Sequence, residues 1–287
     1  MGEPTHKYSP RMISPVVHDA HMAINLVHRL VYFVPEAAQE YAQLGVTGAG
    51  GYFGSRSAPM GAVPDEVIIA TFYNFSPGAI RSAMPGVWET ASPAELQAAR
   101  FRVVGRALER VGAALSNDQL AEARALVDPV VAELDLAGKP LGAANASVAL
   151  PDEPLVALWQ QLTVIREWRG DVHIAVLVAN ELAPCECLVL QVATGRFPLR
   201  IAQVTRRWDD EQWAAAVEGL HERGWMTTDG AITTEGTEAR EAIEADTDRL
   251  CASIWRPIGD TGAARFAELI MPMHNAVEAA GTYGALA

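Results

Sequence analysis

The chain reads as a mainly α protein of two winged-helix-like halves, with a small β-wing in the C-terminal half. Three observations predict this. Apolar residues recur at helical spacing along most of the 287 residues. Proline, serine or aspartate stands in front of most of these runs, and these residue types begin helices. Near the C-terminus, a helical pattern is followed by Trp225-Met226-Thr227-Thr228, an Asp229-Gly230 turn, Ala231-Ile232-Thr233-Thr234 and a second helical pattern. Helix, short hairpin and helix in that order form the C-terminal part of a winged helix-turn-helix.

Residues 16–31 (VVHDAHMAINLVHRLV) carry helical spacing behind Ser14-Pro15. Pro35-Glu36 opens a helix through about Leu44, which Gly45 ends. The stretch GGYFGSRSAPMGAV, residues 50–63, reads as a glycine-rich loop. Pro64 starts a helix to Phe75, and Ser76-Pro77 starts a short one. Ser92 with Glu95 is a capping box, heading a helix to about Leu115. Ser116-Asn117-Asp118 begins another. Residues 137–153 are small and polar without a strong period, a linker between an N-terminal domain (1–136) and a C-terminal one (154–287). Helices follow at 154–168, 171–181 and 184–193, then from Asp209 to a glycine C-cap at Gly224. Thr234 with Glu235 and Glu238 starts the helix after the wing. The terminal helices 235–255 and 262–281 offer a surface for a homodimer.

The first half echoes this plan. Arg56-Ser57-Ala58-Pro59 overlays Arg169-Gly170-Asp171-Val172, and SPAELQAARFRVV overlays DDEQWAAAVEGL. An offset of about 115 residues fits an internal duplication.

Composition narrows the function classes. The net charge is −13 and the only lysines are Lys7 and Lys139, a poor balance for phosphate contacts. No apolar run reaches the roughly 18 residues of a membrane span, and the N-terminus lacks a signal-peptide pattern, so a cytoplasmic protein is expected. Cys185, Cys187 and Cys251 form no disulfide framework, and Cys-x-Cys is too short for a structural zinc pair. No Walker loop, dinucleotide fingerprint, HExxH or Gly-x-Ser-x-Gly motif occurs, so no cofactor or metal is expected.

The segment WDDEQWAAAVEGLHERGWMTTDGAITTEGTEAREAIEADTDRL resembles the winged helices of multidrug-type (MarR-like) repressors. With GYFGSRSAPMGAV, FYNFSP and REWRGDVH it looks like a family of actinobacterial proteins of this length, described as helix-turn-helix. The resemblance implies a winged-helix fold and, by analogy, DNA binding, although fold does not imply function. The chain departs from a DNA reader where it matters. The helix before the wing begins Asp209-Asp210-Glu211 and continues with Glu218 and Glu222, and the wing carries no cation. Acids there would face phosphates or base edges. Arg196, Arg200, Arg206 and Arg207 form the nearby basic cluster, either a solvated face or a DNA contact.

The residues with chemical potential lie elsewhere. Tyr32, Phe33, Tyr41, Tyr52, Phe53, Phe72, Tyr73 and Phe75 crowd one region. Phe33, Phe53 and Phe72 read as core, while Tyr32, Tyr52, Tyr73 and Asn74 carry polar groups suited to a pocket. Arg56 either pairs with Asp65, Glu66 or helix carbonyls, or clamps a ligand carboxylate or phenolate. The surrounding glycines would let backbone approach a bound molecule. His18, His21 and His28 share one helix face, but their spacing does not match the i,i+4 zinc pair. His28, beside the aromatics, is a candidate proton carrier or, alternatively, a haem ligand. In REWRGDVH, Arg169 and Asp171 pair locally or Asp171 caps a helix, leaving His173 neutral near that helix's N-terminus. Taken together, these residues predict a pocket for a small, partly aromatic, anionic molecule. Tyr32, Tyr52, Arg56, Tyr73, Asn74, Arg169 and Asp171 would bind it, with His28 or His173 as catalytic group. The expected function is binding or cofactor-free acid–base chemistry, as specialised metabolism would use. The alternative is a ligand-responsive regulator that binds DNA.

Overall fold

Residues 154–179 form one unbroken helix, where the sequence predicts two parted at Gly170. A glycine inside a helix costs only about 1 kcal/mol against alanine, and packing on all sides outweighs it here. The computed structural model describes residues 15–32 and 34–281. In chain order its helices are α1 (Pro15–Arg29), α2 (Pro35–Gln43), α3 (Gly48–Ser57), α4 (Asp65–Thr71), α5 (Pro77–Ala83) and α6 (Val87–Thr90). They continue with α7 (Pro93–Arg110), α8 (Asn117–Ala132), α9 (Pro140–Ala146), α10 (Pro154–Ala179) and α11 (Pro184–Ala193). The last are α12 (Leu199–Arg206), α13 (Asp210–Glu222), α14 (Thr234–Cys251) and α15 (Gly259–Ala279). Ser14 and Phe33, both used in the sequence reading, lie outside the described residues. No single helix among the described residues is long and apolar enough to cross a membrane.

Helix α10 is buried along most of its length, from Val156 to Leu177, and carries both apolar side chains and the buried polar groups Gln160, Gln161, Glu167 and Asp171. It packs against α1, α7, α8, α9 and α14. The larger core runs from Ala20 in α1 to Val277 in α15 and takes in Trp159, Leu162 and Ile165 of α10. The smaller core joins Val176 and Leu177, at the end of α10, to Leu190 of α11, Leu220 of α13 and Ile243 of α14. One helix therefore serves both cores. The expected linker, 137–153, contains α9, whose Leu141, Gly142 and Asn145 are buried. Gly142 sits so close to α10 that a Cβ there would stand 2.7 Å from Trp168 Cα. Asp171 does not cap α10: it accepts from the Gly142 N–H at 2.8 Å, and so caps the start of α9 from across the interface.

The stretch expected as a loop is largely helical. Residues 48–57 form α3, and their glycines serve packing rather than ligand approach. A Cβ on Gly51 would lie 2.8 Å from Tyr41 Cδ2, and one on Gly54 would lie 2.8 Å from Val87 Cγ1. Capping boxes form at Ser92, Ser116 and Asp209. Helix α4 stops at Thr71 and leaves 72–75 non-helical before Ser76 caps α5 through the Ala79 N–H.

Helices α11, α12 and α13 occupy the stretch around the segment whose resemblance to winged helices implies a helix-turn-helix unit. The expected two-stranded wing is reduced to one antiparallel bridge, Met226 with Ile232, and Thr233 rather than Thr234 caps α14. An isolated pair of very short strands has little to hold it. The turn between α12 and α13 docks on residues 73–76. Ser76 donates its N–H to Arg206 O at 3.0 Å and its hydroxyl to Arg207 O at 2.8 Å. Trp208 Nε1 donates to Asn74 O at 3.0 Å, and Tyr73 donates its hydroxyl to Leu182 O at 2.6 Å.

Candidate functional site

Where the two regions meet lies a half-open chamber of about 180 Å³. The 72–75 segment supplies one side with Phe72, Tyr73, Asn74 and Phe75, α10 supplies Arg166, Arg169 and His173, Arg56 and Arg206 add two further guanidinium groups, and Ile174, Leu177, Cys187 and Gln191 are among the rest of the lining. Residues 166, 169 and 173 stand at i, i+3 and i+7, so an unbroken α10 presents all three on one face.

Four guanidinium groups line this small space, and they are not equivalent. Arg56 is fully engaged. Its Nε and Nη2 each donate to the Glu167 carboxylate at 2.8 Å, and Nη1 donates to Tyr52 Oη at 3.1 Å. The group also lies 4.4 Å from the centre of the Phe72 ring. Burial opposes charge on both partners, but pairing prevails: Glu167 is held well below the usual carboxylate range and Arg56 above its ordinary value. Arg169 is engaged as well, donating from Nη2 to Asp248 at 2.6 Å and to Glu244 at 3.4 Å.

Arg166 and Arg206 form no ion pair among the described residues, in contrast to Arg56 and Arg169. Arg166 donates from Nε to the Asn25 side-chain oxygen at 2.9 Å. Burial, with Arg169 and Arg56 beside it, draws its pKa down to about 10 despite Glu167. Arg206 donates from Nη1 to Thr205 Oγ1 at 2.8 Å and rests over Phe75 and Phe197, at 4.2 and 4.9 Å from the ring centres. Its Nε is buried without a partner. Burial and the charges of Arg56 and Arg29 outweigh Tyr52 and lower its pKa to about 10. Arginine stays protonated at neutral pH, so both groups keep their charge in the fold, Arg166 with partial compensation from Glu167 and Arg206 with no carboxylate beside it among the described residues.

His173 has a defined tautomer. Thr247 gives its hydroxyl proton to Ile243 O at 2.8 Å, so it accepts from His173 Nδ1 at 2.9 Å. The lone pair is therefore on Nε2. Burial, reinforced by Arg169 and Arg240 against the opposing pull of Glu244, lowers the pKa to about 4. The neutrality expected from a helix N-terminus is thus a burial effect, since His173 sits well inside α10.

The chamber unites Arg56, Tyr73, Asn74, Arg169 and His173 of the expected set. Tyr52 and Tyr32 line adjoining cavities, and Tyr32 Oη accepts from Arg100 at 2.6 Å. Asp171 is turned to α9, and burial raises its pKa to about 6. His28 lines none of these cavities. Its Nδ1 meets Thr163 Oγ1 at 3.1 Å, its Nε2 faces Glu167 at 3.6 Å, and Trp159 stacks on the ring. Both ring nitrogens of His28 therefore face side chains of the fold. His18 and His21 turn to Asp248 and Trp255, and no group of three or more potential metal ligands gathers among the described residues. The sequence reading named Arg166 within REWRGDVH without giving it a binding role, and missed Glu167 of the same motif and the inward turn of Arg206, which it grouped with the surface cations. The split assigned at Gly170 hid the face that Arg166, Arg169 and His173 share.

The surface of the helix-turn-helix unit has the opposite charge. Asp210, Glu211, Gln212, Glu218 and Glu222 are exposed on α13. Of the basic cluster, Arg196 and Arg200 are exposed, Arg206 turns inward, and Arg207 donates to Ser82 Oγ at 3.1 Å.

The chain belongs to a helix-turn-helix family. The family match runs over residues 17–284, and so spans the chamber, both cores and the helix-turn-helix unit. No curated protein and no solved structure matches the chain. Membership of this helix-turn-helix family leaves the chemistry to be argued from the site.

Proposed function

We propose that this helix-turn-helix protein binds a small organic anion in the arginine-lined chamber, with the unpaired charges of Arg166 and Arg206 as its counter-charge. The single observation that carries this reading is that pair of arginines, which form no ion pair among the described residues and face a cavity whose lining holds no acid. A buried cation is costly unless paired, and a carboxylate or phosphate entering the chamber supplies the missing partner through charge-assisted hydrogen bonds. An apolar cavity of about 150 Å³ holds benzene, so 180 Å³ suits one ring with its acid group. Neutral His173 adds an acceptor at Nε2, able to take a proton from a ligand hydroxyl in cofactor-free acid–base chemistry. Benzoate and inorganic phosphate serve as test probes. Either should raise the melting temperature of the wild type, and Arg166→Gln with Arg206→Gln should abolish the rise. Failure of both anions to bind the wild type, measured by calorimetry, overturns the reading.

A second reading draws support from family membership: a MarR-like, dimeric regulator that contacts DNA through the exposed Arg196 and Arg200. The acidic face of α13 argues against it, because like charges meet at the phosphate backbone. A gel shift at low salt with DNA from upstream of the protein's own gene decides the matter. Sequence-selective, salt-sensitive binding would establish the regulator.

A further inference from the structure

We infer that the ligand is an extended aromatic acid, its acid group in the cationic chamber and its apolar body in a second chamber behind Arg206; this rests on the anion-binding reading above. The second chamber measures about 280 Å³. Ala49, Tyr52, Phe53, Phe75, Ala79 and Val204 give it a mainly apolar and aromatic lining, the surroundings a flat hydrocarbon body requires. Phe75 and Arg206 line both chambers, so these two side chains form the partition.

The partition is built to open on one side only. Phe75 is buried and fixed by ring contacts to Phe53 and Tyr52, at 5.0 and 5.5 Å between centres. Arg206 is fixed by no acid. Among the described residues its one side-chain hydrogen bond is to its own neighbour Thr205, its Nε has no partner, and the side chain stacks on Phe75 and Phe197. Helix α12, which carries it, buries only Ala202. Moving the Arg206 side chain breaks no ion pair and joins the chambers. A carboxylate beside it then gains the guanidinium as partner, while the ligand's rings lie along Phe75 into the apolar space. At 280 Å³ the second chamber has nearly twice the volume that holds benzene, about 150 Å³. It therefore takes at least one ring beyond the first.

Calorimetric titration of the full chain with benzoate and with biphenyl-4-carboxylate tests this. The longer acid should bind at least tenfold tighter to the wild type. Ala79→Leu, which projects into the second chamber, should erase that advantage and leave benzoate affinity unchanged. Ala49→Phe, at an exposed position of the same lining, should do the same, and serves if Ala79→Leu fails to fold. Equal affinity of the two acids for the wild type overturns the inference and spares the anion site. So does an advantage that survives both filling variants. Absence of binding by either acid overturns both.

Discussion

Arg56 and Arg206 line the same chamber on opposite terms. Arg56 comes from a helix locked by glycine contacts, makes a two-pronged pair with Glu167, and has its remaining nitrogen on Tyr52. Arg206 comes from a lightly packed helix, rests on rings and lacks an acid. The first arrangement is a structural joint between α3 and α10. The second leaves its charge without an ion pair among the described residues. The more conspicuous arginine in the sequence is therefore the one the fold uses, and the one grouped with surface cations is the one on which the anion proposal rests.

The comparison is broken most directly at the joint. Glu167→Gln leaves Arg56 without its counter-charge, and removing one partner of a buried pair costs roughly 3–5 kcal/mol. Guanidinium unfolding should show that loss, and Arg56→Met with Glu167→Leu should recover most of it. A loss below 1 kcal/mol for Glu167→Gln would mean that the pair is not a joint. Arg56→Ala should likewise destabilise the chain, not merely empty a pocket. Gly51→Ala comes next: it drives a methyl toward Tyr41, and overpacking costs about 1–3 kcal/mol, readable as a lower melting temperature.

The pH dependence sharpens the comparison at the ligand side. His173 titrates at about 4 in the fold and near 6.5 when unfolded, so the unfolded chain binds the proton first. Its contribution is complete above pH 6.5 and is lost as pH falls toward 4. Buried His21 and His28 act in the same sense. His173→Gln should reduce the slope of stability against pH in that window by up to one proton. An unchanged slope would show that burial does not hold His173 neutral. The smallest effect on stability belongs to Arg206→Gln. With no ion pair to break and an uncompensated inward-facing charge removed, it should cost the fold no stability, while weakening benzoate binding. A large loss would return Arg206 to the structural class.

Local signals in the sequence were sound where a cap or a turn was decisive. Ser92, Ser116 and Asp209 head their helices as their side chains dictate. The failures came where tertiary packing overrides local chemistry. Gly170 looked like a break, and α10 passes through it because neighbours on every side compensate. Glycines 51 and 54 looked like hinges and prove to be contact points between helices. The Thr-Asp-Gly turn was legible, but strand pairing beside it needs neighbours that composition does not reveal. For the site, Arg56, Tyr73, Asn74, Arg169 and His173 were readable as unusual residues needing partners. Their partners were not readable, because Glu167 lies 111 positions from Arg56.

The double duty of α10 bears on how such a protein can descend. A recognition module that closes on its own can be cut out and joined to other chains. Here the helix that completes the smaller core also fills the larger one, so excision would strip Trp159, Leu162 and Ile165 of their surroundings. The chain from α1 to α15 is therefore one structural unit, and the family match, from residue 17 to residue 284, has the same extent.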